Sequence, residues 1–115
     1  MPLIRIETNV GLEEQRKTEI MNMLSRSLAE DLGKEEKWVM VSMAESAILM
    51  GGEPGPAAYV DVRSIGGLNN ETNNTIAQHV SKVLHEEMGV APERLYVNLD
   101  SVSAGNWCWN AKTFG

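Results

Sequence analysis

A displacement of 56 positions lays the chain on itself without a gap. Leu3, Ile4 and Ile6 fall on Tyr59, Val60 and Val62, and Gly11-Leu12 falls on Gly67-Leu68. Further on, Leu28, Leu32 and Gly33 fall on Leu84, Met88 and Gly89, and Val39 and Val41 fall on Leu95 and Val97. A period this long that occurs only twice indicates a duplicated supersecondary unit, not a solenoid. In 115 residues the two copies, about 2–50 and 58–106, make a single domain with one core.

Each copy reads strand, helix, strand. Pro2–Thr8 and Ala58–Ser64 alternate apolar and charged residues, as a half-buried strand does. A helix from about Gly11 to Leu32 carries Ile20, Leu24, Leu28 and Leu32 on one stripe, and a second, about Asn69 to Met88, carries Ile76, Val80, Val83 and Leu84. Gly33 and Gly89 stand where a left-handed helix cap is expected. Strands follow at about Trp38–Met43 and Arg94–Leu99, and Gly51–Pro56 forms a turn-rich joint between the copies. The fold class is α/β of the α+β kind: two pseudo-symmetric β-α-β units forming a four-stranded mixed sheet with two helices on one face. Val39, Val41, Leu95, Val97 and Leu99 look too apolar for water, so the bare face is expected to pack against other subunits. Met21, Met23, Met40, Met43, Met50 and Met88 read as core filler. Trp107, Trp109 and Phe114 in the tail are expected to pack against something, with a neighbouring subunit one candidate.

Charge and composition exclude several classes. A net charge of −6 repels phosphate backbones, and no basic run is interleaved with aromatics, so a nucleic-acid partner is not expected. No apolar stretch approaches the ~20 residues that span a bilayer, so no membrane partner is expected. The first residues alternate like a strand and lack the layout of a secretion signal; the expectation is a cytoplasmic protein, with signal-less export as an alternative. Cys108 is the only cysteine, which excludes an intrachain disulfide. His79 and His85 are six positions apart on one helix, too far round to share a metal, and read as surface groups. No metal and no cofactor is expected.

Met1-Pro2 leads straight into the first strand. Initiator methionine is usually removed before a small residue, which would leave Pro2 with a free secondary amine. An ordinary amino terminus titrates at about 7.7–8.0, and partial burial lowers that value by disfavouring the charged form. Such a nitrogen suits a general base at neutral pH, and the pyrrolidine ring fixes its lone pair. Taken alone, the proline is equally a residue tolerated at a chain start.

Several motifs recur together: Pro2-Leu3-Ile4, Leu32-Gly33-Lys34, Ser64-Ile65-Gly66, Arg94-Leu95-Tyr96-Val97-Asn98, and Asn106–Asn110 with Thr113-Phe114. In this order and spacing the chain resembles, over its whole length, the macrophage migration inhibitory factor family of the tautomerase superfamily. The resemblance implies a homotrimer with active sites at subunit boundaries and keto–enol tautomerisation of arylpyruvates, small aromatic 2-oxo acids such as phenylpyruvate or hydroxyphenylpyruvate. It implies Pro2 as the base and Lys34 as the cation that holds a carboxylate or steadies an enolate. Ser64 and the Ile65 backbone would add polar contacts, and Tyr96 and Asn98 would come from the neighbouring subunit. Trp38, Trp107, Trp109 and Phe114 would form apolar walls and rim suited to an aryl ring.

There are departures from the family's pattern. Trp107 stands where a smaller aliphatic residue is expected, and Trp38 where a tyrosine is common. The cysteine pair that gives some relatives thiol–disulfide activity is replaced by Pro56-Ala57-Ala58-Tyr59-Val60, so no such activity is expected. Simpler readings of single residues also stand. Lys34 is in a place where a solvated cation after a helix cap is favoured, Tyr96 could pack on a sheet, and Asn98 could end a strand. The alternative function is a cytokine-like signalling or interaction protein that binds a protein receptor, with a vestigial pocket.

Overall fold

Ile4 and Ile6 are 0% and 1% exposed, while Arg5 between them is open to solvent, the period of a strand with one buried face. In the computed structural model, which describes residues 1–115, this segment is β1 (Pro2–Thr8). Its partners are β2 (Met40–Glu45), β3 (Ala58–Ser64) and β4 (Leu95–Ser101), in the order β2-β1-β3-β4. The pairs β1–β2 and β3–β4 are parallel, and each is bridged by a helix, α1 (Glu14–Leu32) or α2 (Asn70–Met88). The two copies meet through the antiparallel β1–β3 pair, where Pro2 lies opposite Ser64 and Thr8 opposite Ala58.

Both helices cover the same sheet face. Ile20, Leu24 and Leu28 from α1 and Ile76, Val80 and Leu84 from α2 meet Ile4, Ile6, Val60 and Val62 in one core. Each such side chain contributes roughly 1.5–3 kcal/mol through burial. Val39, Val41, Leu95, Val97 and Leu99 also pack against this core, which corrects the expectation that they form the bare face. Period-two alternation turns the other set away from the helices: Arg5 and Glu7, Tyr59, Asp61 and Arg63, Tyr96, Asn98 and Asp100. That face is polar and aromatic. Met40 is not core filler; on the edge strand it is 66% exposed.

Element ends differ from the sequence reading where local bonding intervenes. Helix α1 begins at Glu14, not Gly11, because the chain up to Glu13 stays extended and Thr8 Oγ1 accepts the Val10 N–H at 3.2 Å. Asn69 caps α2 by accepting the Thr72 N–H at 2.9 Å. Tight turns at Glu36–Trp38 and Pro92–Arg94 delay β2 and β4. The tail folds into a hairpin of β5 (Cys108–Trp109) and β6 (Lys112–Thr113), turned by Asn110 and Ala111 at positive φ. No helix is long and apolar enough to cross a membrane.

Gly33 closes α1 at φ 64°, and the N–H groups of Gly33 and Lys34 return to the carbonyls of Glu30 and Ala29. A methyl group there would meet nothing within 4 Å, so any cost is purely conformational. Gly33→Ala is expected to destabilise the fold by about 1–2 kcal/mol, read as a lower urea midpoint at unchanged slope.

Candidate active site

The start of β1, the turn after α1, the end of β3 and the tail converge at one edge of the sheet. Pro2 is buried opposite Ser64, whose hydroxyl donates to the Gly66 carbonyl at 2.8 Å. That bond bends the chain after β3, so that the Ile65 carbonyl meets Lys34, which donates from Nζ at 2.6 Å. Lys34 also stands beside the amine of Met1. Burial holds that amine below its ordinary pKa of about 8.0, and the Lys34 charge and hydrogen bond push it the same way. Lys34 is therefore placed by a helix cap and a carbonyl.

Next to the amine opens a cavity of about 600 Å³. Pro2, Leu3, Val39, Met40 and Val102 give it apolar walls, and Trp38, Trp107 and Trp109 give it aromatic ones. Trp38 meets Trp109 edge-on, with ring centroids 5.0 Å apart at 88°, and Phe114 stacks on Trp109 at 6.4 Å. The tail rings thus pack within their own chain. Phe114 N–H donates to the Trp107 carbonyl at 3.1 Å, tying the hairpin to the wall it forms.

Of the residues singled out in the sequence, Pro2, Trp38, Trp107 and Trp109 line this cavity. Lys34, Ser64 and Ile65 form the polar cluster beside it, and Phe114 backs its rim. Tyr96 and Asn98 are not brought in. They lie on β4 opposite Tyr59 and Asp61, on the helix-free face, and Tyr96 is 66% exposed. Sequence reasoning missed Met40, Val102, Lys37, Cys108 and Arg63. The signal for Arg63 was the antiparallel register, which sets it opposite Leu3 and next to the Pro2–Ser64 pair.

Solved structures share this fold. A macrophage migration inhibitory factor homologue from Prochlorococcus marinus is 33% identical and superposes with a TM-score of 0.93 over 98% of this chain and 99% of its own. The macrophage migration inhibitory factor of Toxoplasma gondii is 27% identical with a TM-score of 0.94, over 97% and 99%. A duplicated β-α-β sheet backed by two helices, with a cavity at its amino-terminal edge, places the chain among proteins of the tautomerase superfamily. The family model described as macrophage migration inhibitory factor matches residues 1–115, and the chain belongs to that family. A curated homologue from Brugia malayi is 28% identical over 116 aligned residues, covering 100% of each chain. Membership supports a tautomerase or a cytokine-like function.

Proposed function

We propose that the chain is a keto–enol tautomerase for arylpyruvates, with the Pro2 nitrogen as general base once Met1 is removed. The observation that carries this reading is a chain start at an aromatic-walled cavity, where the Met1 amine is held below its ordinary pKa. Removal of Met1 moves the free amine to Pro2, which lines the same cavity. The base takes a proton from the carbon beside the substrate carbonyl. The electron pair moves onto the carbonyl oxygen, where Lys34 steadies it, and the proton carried by the Pro2 nitrogen is returned to that oxygen, giving the enol and the free base. The Ser64–Ile65 segment orients Lys34, and the three tryptophans hold the aryl ring. Proton transfer of this kind requires neither metal nor cofactor.

Tyr96 and Asn98 lie on the edge strand β4 and do not line their own chain's cavity, so a part for them requires a neighbouring copy. The reading therefore includes a homotrimer with sites shared between subunits. The test is phenylpyruvate and hydroxyphenylpyruvate tautomerisation, followed by ultraviolet absorbance, on protein whose intact mass shows Met1 removed. Turnover is expected; a correctly processed protein inert toward both would overturn the assignment. A cytokine-like interaction with a protein receptor is the second reading, favoured by the exposed apolar side chain of Leu49 (68%), away from the cavity. Binding of that kind would survive replacement of Pro2, whereas turnover would not.

Lys34 provides a pH signature. Its charge favours the neutral form of the Met1 amine, and Lys34→Gln removes that influence. The Pro2 amine freed at the same edge is expected to respond in the same sense, so the acid limb of kcat/KM moves to higher pH in the variant. A limb that stays put or moves down would separate Lys34 from the base.

A further inference from the structure

The cavity beside Pro2 has an unusual charge pattern for this chain. Acidic residues outnumber Lys and Arg by 16 to 10, yet no carboxylate lines the cavity, and its two charged side chains, Lys37 and Arg63, are both cationic. These two cations are used differently. Lys37 Nζ is 3.3 Å from the Glu35 carboxylate and 5.2 Å from the Trp38 ring, on an exposed turn. Arg63 is held by one nitrogen only: Nε donates to Asp61 Oδ2 at 3.3 Å, and the N–H groups on its Nη atoms make no hydrogen bond within the chain. Asp61 is 5% exposed, which makes it a fixed anchor.

We propose that Arg63 is the seat for the substrate's carboxylate and that Asp61, bound to its Nε, is the positioning residue that fixes the guanidinium at the cavity wall. The proposal rests on the tautomerase reading and adds to it the residue that selects an anion. A guanidinium presents parallel N–H donors matched to a carboxylate, and an arginine already tethered at Nε loses less freedom when it binds one. The register supplies the position. Arg63 pairs with Leu3, one step from the Pro2–Ser64 pair, so an anion held there lies beside the base. An arylpyruvate needs this closeness, since its carboxylate is bonded directly to the carbonyl carbon whose neighbour loses the proton. The aryl group then extends toward Trp38, Trp107 and Trp109.

The assignment also separates the work of the cations. Lys34 donates to the Ile65 carbonyl, and after burial its charge is the next influence lowering the pKa of the Met1 amine. A carboxylate bound on Lys34 would offset that influence on an amine at this edge. With the carboxylate on Arg63, Lys34 is left for the enolate oxygen, where negative charge appears only during reaction.

The test is direct binding, independent of turnover, on the Met1-free protein. Phenylacetate, an aromatic carboxylate that cannot tautomerise in this way, and its neutral counterpart phenylacetamide are titrated while tryptophan emission is followed. The unaltered protein is expected to prefer phenylacetate by about tenfold or more, the range for a hydrogen bond to a charged group. Arg63→Gln is expected to bind phenylacetamide as before and to lose the preference, and Arg63→Lys to keep part of it. Asp61→Ala is expected to cut the preference while leaving phenylacetamide affinity alone. No preference in the unaltered protein, a preference that persists in Arg63→Gln, or equal loss of both ligands would each overturn the proposal. Phenylpyruvate turnover is read separately. Preference without turnover leaves the anion seat and removes the tautomerase reading; turnover without preference does the reverse.

Discussion

Pro2→Gly, in protein freed of Met1, is expected to lower kcat/KM for phenylpyruvate by about 10²-fold or more, within the ~10²–10⁴ that general-base catalysis contributes. Glycine retains an amine but loses the ring that aims the nitrogen lone pair, and positioning is a large part of what a base supplies. The fold should survive, because the β1 ladder from Leu3 to Thr8 keeps its pairings with both neighbours. Circular dichroism and gel filtration unchanged, with turnover gone, is the expected combination. Turnover at the original rate in Pro2→Gly would mean that another group removes the proton.

The second large effect is on stability and leaves the chemistry alone. Leu84 is 0% exposed on α2, amid the residues that join the two copies. Leu84→Ala removes buried methyl groups and leaves a cavity, a change that costs about 2–5 kcal/mol. That is a large share of the ~5–15 kcal/mol that holds a typical domain together. Chemical denaturation should show the loss, while kcat/KM at low temperature stays near its original value because α2 does not line the cavity. A denaturation midpoint within error of the original would place Leu84 outside the cooperative core.

What could be read from the sequence was whatever local bonding alone determines. β1 and β3 have the expected bounds, because their alternation is clean and turn residues flank them. Gly33 and Gly89 cap the helices as their positions suggest, at φ 64° and 70°. The failures arise where tertiary context decides. Alternation separates two faces of a strand but does not say which one the helices cover, so Val41 and Val97 were assigned to the wrong side. The tail hairpin went unseen because its turn residues, Asn110-Ala111, lack the glycine that usually marks a two-residue turn. Arg63 was passed over because only the register between β1 and β3, distant in sequence, brings it to Pro2. Tyr96 and Asn98 carry a motif but stand apart from their own chain's cavity.

The 56-residue duplication has a consequence for the opposite end of the sheet. The counterpart of Pro2 is Ala58, whose nitrogen lies within the chain and is an amide, and the counterpart of Lys34 is the buried Val90. The counterpart of Trp38 is Arg94, which binds the carbonyls of Glu53, Gly55 and Pro56. Asn9, the counterpart of Ile65, holds the same joint through Gly55 and Ala57. One copy of the unit has become a clasp that fastens the halves together, and the other keeps its edge open. An ancestral symmetry has thus been divided between suture and aperture, and changes to the aperture can accumulate while the suture keeps the sheet closed.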